Sequence, residues 1–187
     1  MSEPAFSLRT RHGDDLPRKI CDNCGFVAYE NPKIVVGSVV RHEGRILLCR
    51  RAIEPRRGFW TIPAGYLELN ETPEEGARRE AREEAQAMLA IERLLAVYSV
   101  PRISQVQLIY RASLATPDFA AGPESLEVRL FDRAEIPRAE LAFPSVHWAL
   151  DHDRAAEAAG VTLPFGNPEG ACGNMMPDGR ILESGEF

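Results

Sequence analysis

Long hydrophobic runs are missing from this 187-residue chain, and so is any excess of positive charge. No apolar stretch approaches the roughly 20 residues that a membrane-spanning helix needs. The opening "MSEPAFSLRTRHGDDL" lacks the apolar centre of a secretory leader, so the cytoplasm is the expected location. Lysine and arginine total 22 against 28 acidic residues, a formal net charge of −6. No basic patch with interleaved aromatics stands out, which excludes a general nucleic-acid binder. Small anionic ligands stay admissible, because metal ions can bridge like charges. Aromatics are sparse at 7%, and cysteines number four. In a cytoplasmic chain Cys21, Cys24, Cys49 and Cys172 are expected to be reduced, with Cys49 in "RILLCRR" a small core residue on a strand. No internal repeat is present. What the chain does have is length for one domain with a small appendage, and 44% hydrophobic residues to fill a core.

Residues 1–30 read as polar and irregular. The stretch "KIVVGSVVRHEGRILLCRR" predicts a β-hairpin turning at His42-Glu43-Gly44. "GFWTIPAGYLE" reads as a short strand that breaks into a loop. Thr72 as N-cap, Pro73 at the first helical position and Glu75 completing a capping box predict a helix running to about Met88. "IERLLAVYSVP", "QVQLIYRASLA" and "ESLEVRLFDRAEI" read as strands, and "SVHWALDHDRAAEAAG" as a second helix ending at Gly160. The Gly- and Pro-rich tail after it is expected to be loosely ordered. Hairpins mixed with two helices imply an α/β fold with a mixed sheet.

Residues 65–85 contain no aspartate, yet they hold seven glutamates and three arginines. On a helical wheel Ala77, Ala81, Ala85 and Met88 form a narrow stripe of mostly small residues, suited to close approach to a sheet. Glu80 and Glu84 stand one turn apart at the edge of that stripe, and Glu83 adds a third carboxylate. A solvated helix would place a cation four residues from a glutamate and gain a few tenths of a kcal/mol. Like charges at that spacing cost a similar amount, more where the dielectric falls. A hard, oxygen-loving divalent ion such as Mg²⁺ would remove the cost. Acidic helices are common, however, and this spacing alone leaves an ordinary solvated face open.

The whole stretch says more. Gly65, then Glu71 after five residues, then Arg79-Glu80-Ala81-Arg82-Glu83-Glu84 after seven more, resembles the signature box of the Nudix hydrolases. One position departs, Gln86 standing where the family has Gly, which bears on the tightness of the following turn. The resemblance implies the Nudix fold, a mixed β-sheet sandwiched between α-helices, cleaving a diphosphate linked to a nucleoside. It also implies roles. Glu80 and Glu84 look like Mg²⁺ ligands, with Mn²⁺ as an alternative ion. Glu83 looks like a ligand or a water-orienting base, and the Ala64 carbonyl like a backbone ligand. Arg79 and Glu71 resemble the internal pair that orients the ligand carboxylates. Glu68, Glu74 and Glu75 read as solvated or capping.

Outside the box, "ICDNCG", "YENPKIVVGSVV" and "AGPESLEVRLF" look like the branch similar to ADP-ribose and FAD pyrophosphatases. Pro101 stands where ADP-ribose-type members often have a proline. The NADH-cleaving branch carries an S-Q-P-W-P-F-P-x-S array, and here the stretch reads "VYSVPRISQVQ". The implied substrates are therefore ADP-ribose and FAD, each releasing AMP. NADH, damaged nucleotides, or a nucleotide-sensing domain without catalysis are the alternatives. Glu124 and Glu127 are candidates for a distal carboxylate facing the metals, against a plain loop acid and strand-edge acid. Trp60 and Phe59 are candidates for stacking on a base or flavin, against packing at the sheet edge.

Cys21-Asp22-Asn23-Cys24 looks like one knuckle of the zinc ribbon that precedes the Nudix domain in this branch. A structural Zn²⁺ needs four ligands, usually from two knuckles. In relatives the first would precede "FSLRTRHGDDLPRK", where this sequence has "MSEPA". A vestigial ribbon without metal is the plain expectation; His12 as a third ligand, four cysteines shared across a homodimer, or a start assigned too far downstream are alternatives. The expected organisation is a ribbon-like segment over 1–30, a Nudix domain over 31–160 and a tail over 161–187. The expected partner is a small nucleotide, with no nucleic acid and no membrane. Homodimers are common among such enzymes.

Overall fold

The structure is a computed structural model describing residues 5–182, so the outermost ends of the expected N-terminal segment and tail lie outside the described residues. The chain divides into two compact units, Met1–Pro32 and Lys33–Phe187.

The first unit is a small antiparallel sheet rather than an irregular segment. Strands β1 (Phe6–Arg9), β2 (Arg18–Cys21) and β3 (Val27–Ala28) lie in that order. Strands of two to four residues are too short for alternation to register in a sequence. After Cys21 the chain turns tightly. Gly25 N–H donates to Cys21 O at 2.9 Å and Cys21 N–H to Phe26 O at 2.8 Å. Gly25 makes the turn with φ +75°, where a side chain would be strained.

The second unit is built on one mixed sheet. Its strands are β4 (Lys33–His42), β5 (Arg45–Arg51), β6 (Trp60–Thr61), β7 (Ala64–Tyr66), β8 (Leu89–Val100), β9 (Gln105–Leu114) and β10 (Ser125–Phe131). The main path runs β10-β5-β4-β9-β8, with β6 added to β5 and β7 to β4. Among these strands only the β4–β9 pairing is parallel. The expected hairpin forms, turning through Glu43 and Gly44, both at positive φ.

Alternation sorts the two faces of this sheet. Val39, Ile46, Leu48, Leu95 and Ile109 pack with Val146, Ala149 and Leu150 of helix α2 (Pro144–Ala159). Val40, Leu47, Cys49 and Ala112 pack with Ala81 and Ala85 of helix α1 (Pro73–Ala85). Each helix thus covers one face. Ala77, Ala81 and Ala85 are fully buried, so small side chains let α1 lie close to the sheet.

The start of α1 follows its punctuation. Thr72 accepts from the Glu75 amide, and the Glu75 carboxylate accepts from the Thr72 amide. Its end comes at Ala85, earlier than expected. Gln86 takes the left-handed conformation, φ +49°, that the family's glycine would take without cost. Ala87 N–H then bonds back to Ala81 O at 3.1 Å. Gln86 Nε2 also donates to Ala121 O at 3.0 Å, a contact glycine could not make. The turn is therefore as tight as a glycine would make it.

The tail is ordered where a loose segment was expected. Phe165 bonds β8 on both sides, its N–H to Leu95 O and its carbonyl from Val97 N–H, each at 2.9 Å. The Asn167 side chain extends the pairing, accepting from Ser99 N–H at 2.9 Å and donating to Ser99 O at 2.8 Å. The tail thus caps the outer edge of the sheet, which would otherwise be left unpaired. Met176 and Leu182 are buried, at 3% and 1% exposure.

Candidate active site

The sheet splits along β4. Val40–His42 pair with β5, whereas Val35–Gly37 pair with β7. Beside the split lies a cavity of about 460 Å³. Six glutamates and two arginines line it: Glu54, Glu68, Glu80, Glu83, Glu84 and Glu124 with Arg51 and Arg79.

Glu80 and Glu84 project from α1 to one wall and are 8% and 5% exposed. Gly65 makes room for Glu80, since a Cβ there would lie 2.4 Å from Oε1. A side chain at this position would push the Glu80 carboxylate out of its place beside β7. Glu84 Oε2 accepts from Ala64 N–H at 3.0 Å, which sets the Ala64 backbone beside it. Burial pushes the Glu84 carboxyl up to about 8, only partly offset by that amide, and the nearby Glu80 and Glu124 raise it further. Burial also raises Glu80, against the pull of Arg79.

Arg79 is the hub of the outer wall. It grips Glu71 with two bonds, 2.8 and 3.1 Å, and Glu71 also accepts from Glu68 N–H at 2.7 Å. The same guanidinium donates to Glu80 Oε1 at 2.7 Å, Glu83 Oε2 at 2.8 Å and the Tyr66 carbonyl at 2.9 Å. One cation therefore serves three carboxylates. Arg51, half-buried, also lines the cavity and lies over the Phe143 ring, 5.2 Å from its centroid. Burial lowers its pKa, while Glu84, Glu124 and Glu54 hold it protonated.

The loop before β10 locks onto the end of α1. Ala120 N–H donates to Ala85 O at 2.9 Å and Gly122 N–H to Glu84 O at 3.0 Å, satisfying terminal helix carbonyls. A Cβ on Gly122 would sit 1.7 Å from Glu83 O, so only glycine permits this contact. Two residues later Glu124 reaches the cavity wall.

The donor set fits a hard divalent cation. Buried carboxylates four residues apart and facing a cavity, with one shared arginine on Glu80 and none on Glu84 among the described residues, are what such an ion neutralises. Glu80 and Glu83 both bond Arg79, and among the described residues no three His, Cys, Asp or Glu side chains converge on one point. The ion's site would draw on Glu80, Glu84 and Glu83, with the Ala64 backbone alongside. The N-terminal unit fits Zn²⁺ poorly by comparison. Its knuckle offers the buried Cys21 and the exposed Cys24, both free, and no group of three such ligands assembles there among the described residues.

Four expected contacts are corrected. Trp60 is 5% exposed, edge-on to Phe131 at 4.8 Å and buried among core residues, so it has no face free for a base. Phe59 lies under Arg56, 3.8 Å from its ring centroid, and is not a lining residue. Glu127 sits on β10 in an ion pair with Arg50 at 3.7 Å, outside the cavity. Pro101 opens an exposed 3-10 turn, and its neighbour Val100 lines the cavity instead. Of the two distal carboxylates, the structure brings Glu124 to the site. Arg51, Tyr66, Gln105 and Gln107 were missed. The i, i+2 spacing of the two glutamines on a strand is the signal that placed them on one face.

The NUDIX domain family model matches residues 31–151, and the Nudix N-terminal zinc-ribbon model matches residues 4–30. A crystal structure of a NUDIX hydrolase from Nitrosomonas europaea is similar, with 47% identity and a TM-score of 0.83 over 87% of this chain and 93% of that one. An ADP-ribose pyrophosphatase of Methanocaldococcus jannaschii is 30% identical over 119 residues, 62% of this chain and 69% of its own. The NAD-capped RNA hydrolase NudC of Edwardsiella ictaluri is 29% identical over 58% of this chain and 42% of its own.

Proposed function

The chain belongs to the Nudix family, an enzyme group acting on pyrophosphate bonds, and we propose that it hydrolyses a nucleoside diphosphate derivative, with ADP-ribose and FAD the preferred substrates and AMP a product. The observation that carries this is the buried pair Glu80 and Glu84 in the cavity wall, Glu80 against the side-chain-free Gly65 and Glu84 on the Ala64 amide. The likeness to an ADP-ribose pyrophosphatase supports the choice of substrate. Mg²⁺ or Mn²⁺, when bound, supplies charge neutralisation at the diphosphate and lowers the pKa of an attacking water.

The chain's own groups do the rest. Glu80 and Glu84 provide the negative seat, and Arg79, anchored by Glu71, fixes where Glu80 and Glu83 point. Glu83 and Glu124, which line the same cavity, are the carboxylates we assign to take the water's proton. Arg51 offers a guanidinium to the phosphate that departs. Water attacks one phosphorus, the bridging P–O bond breaks, and the second phosphate leaves with the electron pair.

A panel of ADP-ribose, FAD, NADH and dinucleoside polyphosphates, with products resolved by chromatography, tests the assignment. AMP from ADP-ribose or FAD is the expected dominant product. A dominant NADH signal would move the enzyme to the dinucleotide branch, which the NudC likeness makes the second reading. No turnover of any substrate with Mg²⁺ or Mn²⁺ would leave a nucleotide-sensing domain.

A further inference from the structure

The cavity floor away from the carboxylates holds polar side chains with no part in breaking a diphosphate. Strand register sets them in one row. Val35 on β4 stands between Tyr66 on β7 and Gln107 on β9. One step along the same face, Gln105 of β9 pairs with Lys33 on one side and Val100 on the other. Residues two apart on a strand share a face, so Gln105, Gln107 and Ile109 stand side by side, and all three line the cavity.

These side chains are linked. Gln107 Nε2 donates to Gln105 Oε1 at 3.3 Å, and Gln105 Nε2 to Tyr66 Oη at 3.2 Å. Each bond uses one proton of a carboxamide and leaves the second proton, and the Gln107 carbonyl, for a ligand. The Tyr66 ring is 49% exposed, with the Lys33 ammonium 5.0 Å from its centroid. Val35 and Ile109 make the floor beneath apolar.

The row thus pairs an aromatic platform with carboxamides and carries neither a carboxylate nor a guanidinium. Guanine edges are matched best by arginine, whereas glutamine matches the adjacent donor and acceptor of adenine. We propose that Tyr66, Gln105 and Gln107 form the seat of an adenine ring, which stacks on Tyr66 while Gln107 reads its 6-amino edge. This rests on the diphosphate-hydrolase reading, because the carboxylate wall of the same cavity would hold the phosphates. Tyr66, rather than Trp60, is then the stacking residue.

Calorimetric titration of the full chain with AMP, GMP and UMP, in EDTA, tests the seat apart from hydrolysis. Wild type is expected to bind AMP about tenfold or more tighter than GMP or UMP. Gln107→Leu removes that preference at unchanged Tm, and Gln107→Glu, which keeps an acceptor but no donor, weakens AMP as well. Tyr66→Leu weakens all three nucleotides together. Equal affinity of wild type for the three, or an intact AMP preference in both Gln107 variants, overturns the proposal. Failure of ADP-ribose hydrolysis with the AMP preference intact would sink the proposed reaction and leave the base seat standing.

Discussion

Asp153 on α2 and Glu84 on α1 are both buried carboxylates, 0% and 5% exposed, yet their surroundings differ in kind. Asp153 is bonded by Arg133 and lies 3.5 Å from Arg111 Nε, and Glu157 shares both arginines. Glu84 has one backbone amide, no arginine in ion-pair contact among the described residues, and a cavity at its side. A buried charge kept for structure is surrounded by its counter-charges, because leaving it alone costs several kcal/mol. A buried charge kept for chemistry is left short of them, and its carboxyl is driven up to about 8. The two helices of one domain show both solutions on opposite faces of a single sheet.

Substitutions should separate the two acids. Glu80→Gln and Glu84→Gln are expected to lower kcat roughly 10²-fold or more, and Glu84→Gln to do so without lowering Tm, since it removes a buried carboxylate that no arginine bonds among the described residues. Steady-state kinetics beside thermal melts check this, and a collapse of Tm would make these acids structural. Asp153→Ala should do the reverse. It strands Arg111 and Arg133 and is expected to cost about 3–5 kcal/mol by denaturant titration, with kcat per folded molecule kept. Gly122→Ala forces the loop off the Glu83 carbonyl. A loss of about 1–3 kcal/mol is expected, together with a fall in kcat as Glu124 withdraws.

The smallest effect is a titration on the α2 face. His152 Nδ1 and Tyr98 Oη share a hydrogen bond of 2.7 Å, and the His152 ring stacks on Phe165 of the tail. Burial lowers the pKa of His152, and of His147, below the usual histidine range. With a depressed folded-state pKa the unfolded chain takes the proton first. Stability is then full above about pH 6.5 and falls as pH drops toward the folded pKa. His152→Phe should flatten part of that slope in melts between about pH 5 and 7. An unchanged slope would mean that the tail's docking does not depend on a neutral His152.

Much of the α1 side was legible in the chain itself. A capping box, an alanine stripe and glutamates at fixed offsets are local signals, and the start of α1, its buried face and the acids at its edge followed from them. Its end was misjudged because nothing local says that Gln86 will take a glycine's conformation and hold Ala121. Long-range register was not legible. Whether Trp60 or Tyr66 faces the cavity depends on which strands β6 and β7 join, and the pairing of β7 with β4 decides it. Glu124 and Glu127 differ by three residues, and a register shift between Ser125 and Glu127 sends them to different surroundings. The tail gave no periodic signal, because single residues, Phe165 and Asn167, do the work of a strand.

A calorimetric titration of metal-free wild type and Glu84→Gln with Mn²⁺ tests most directly whether α1 is left short of positive charge for an ion. Stoichiometric binding to wild type, with a rise in Tm, and affinity at least about tenfold weaker in the variant are expected. Equal affinity in the two proteins, or no binding to either, would contradict the assignment of these carboxylates to a metal.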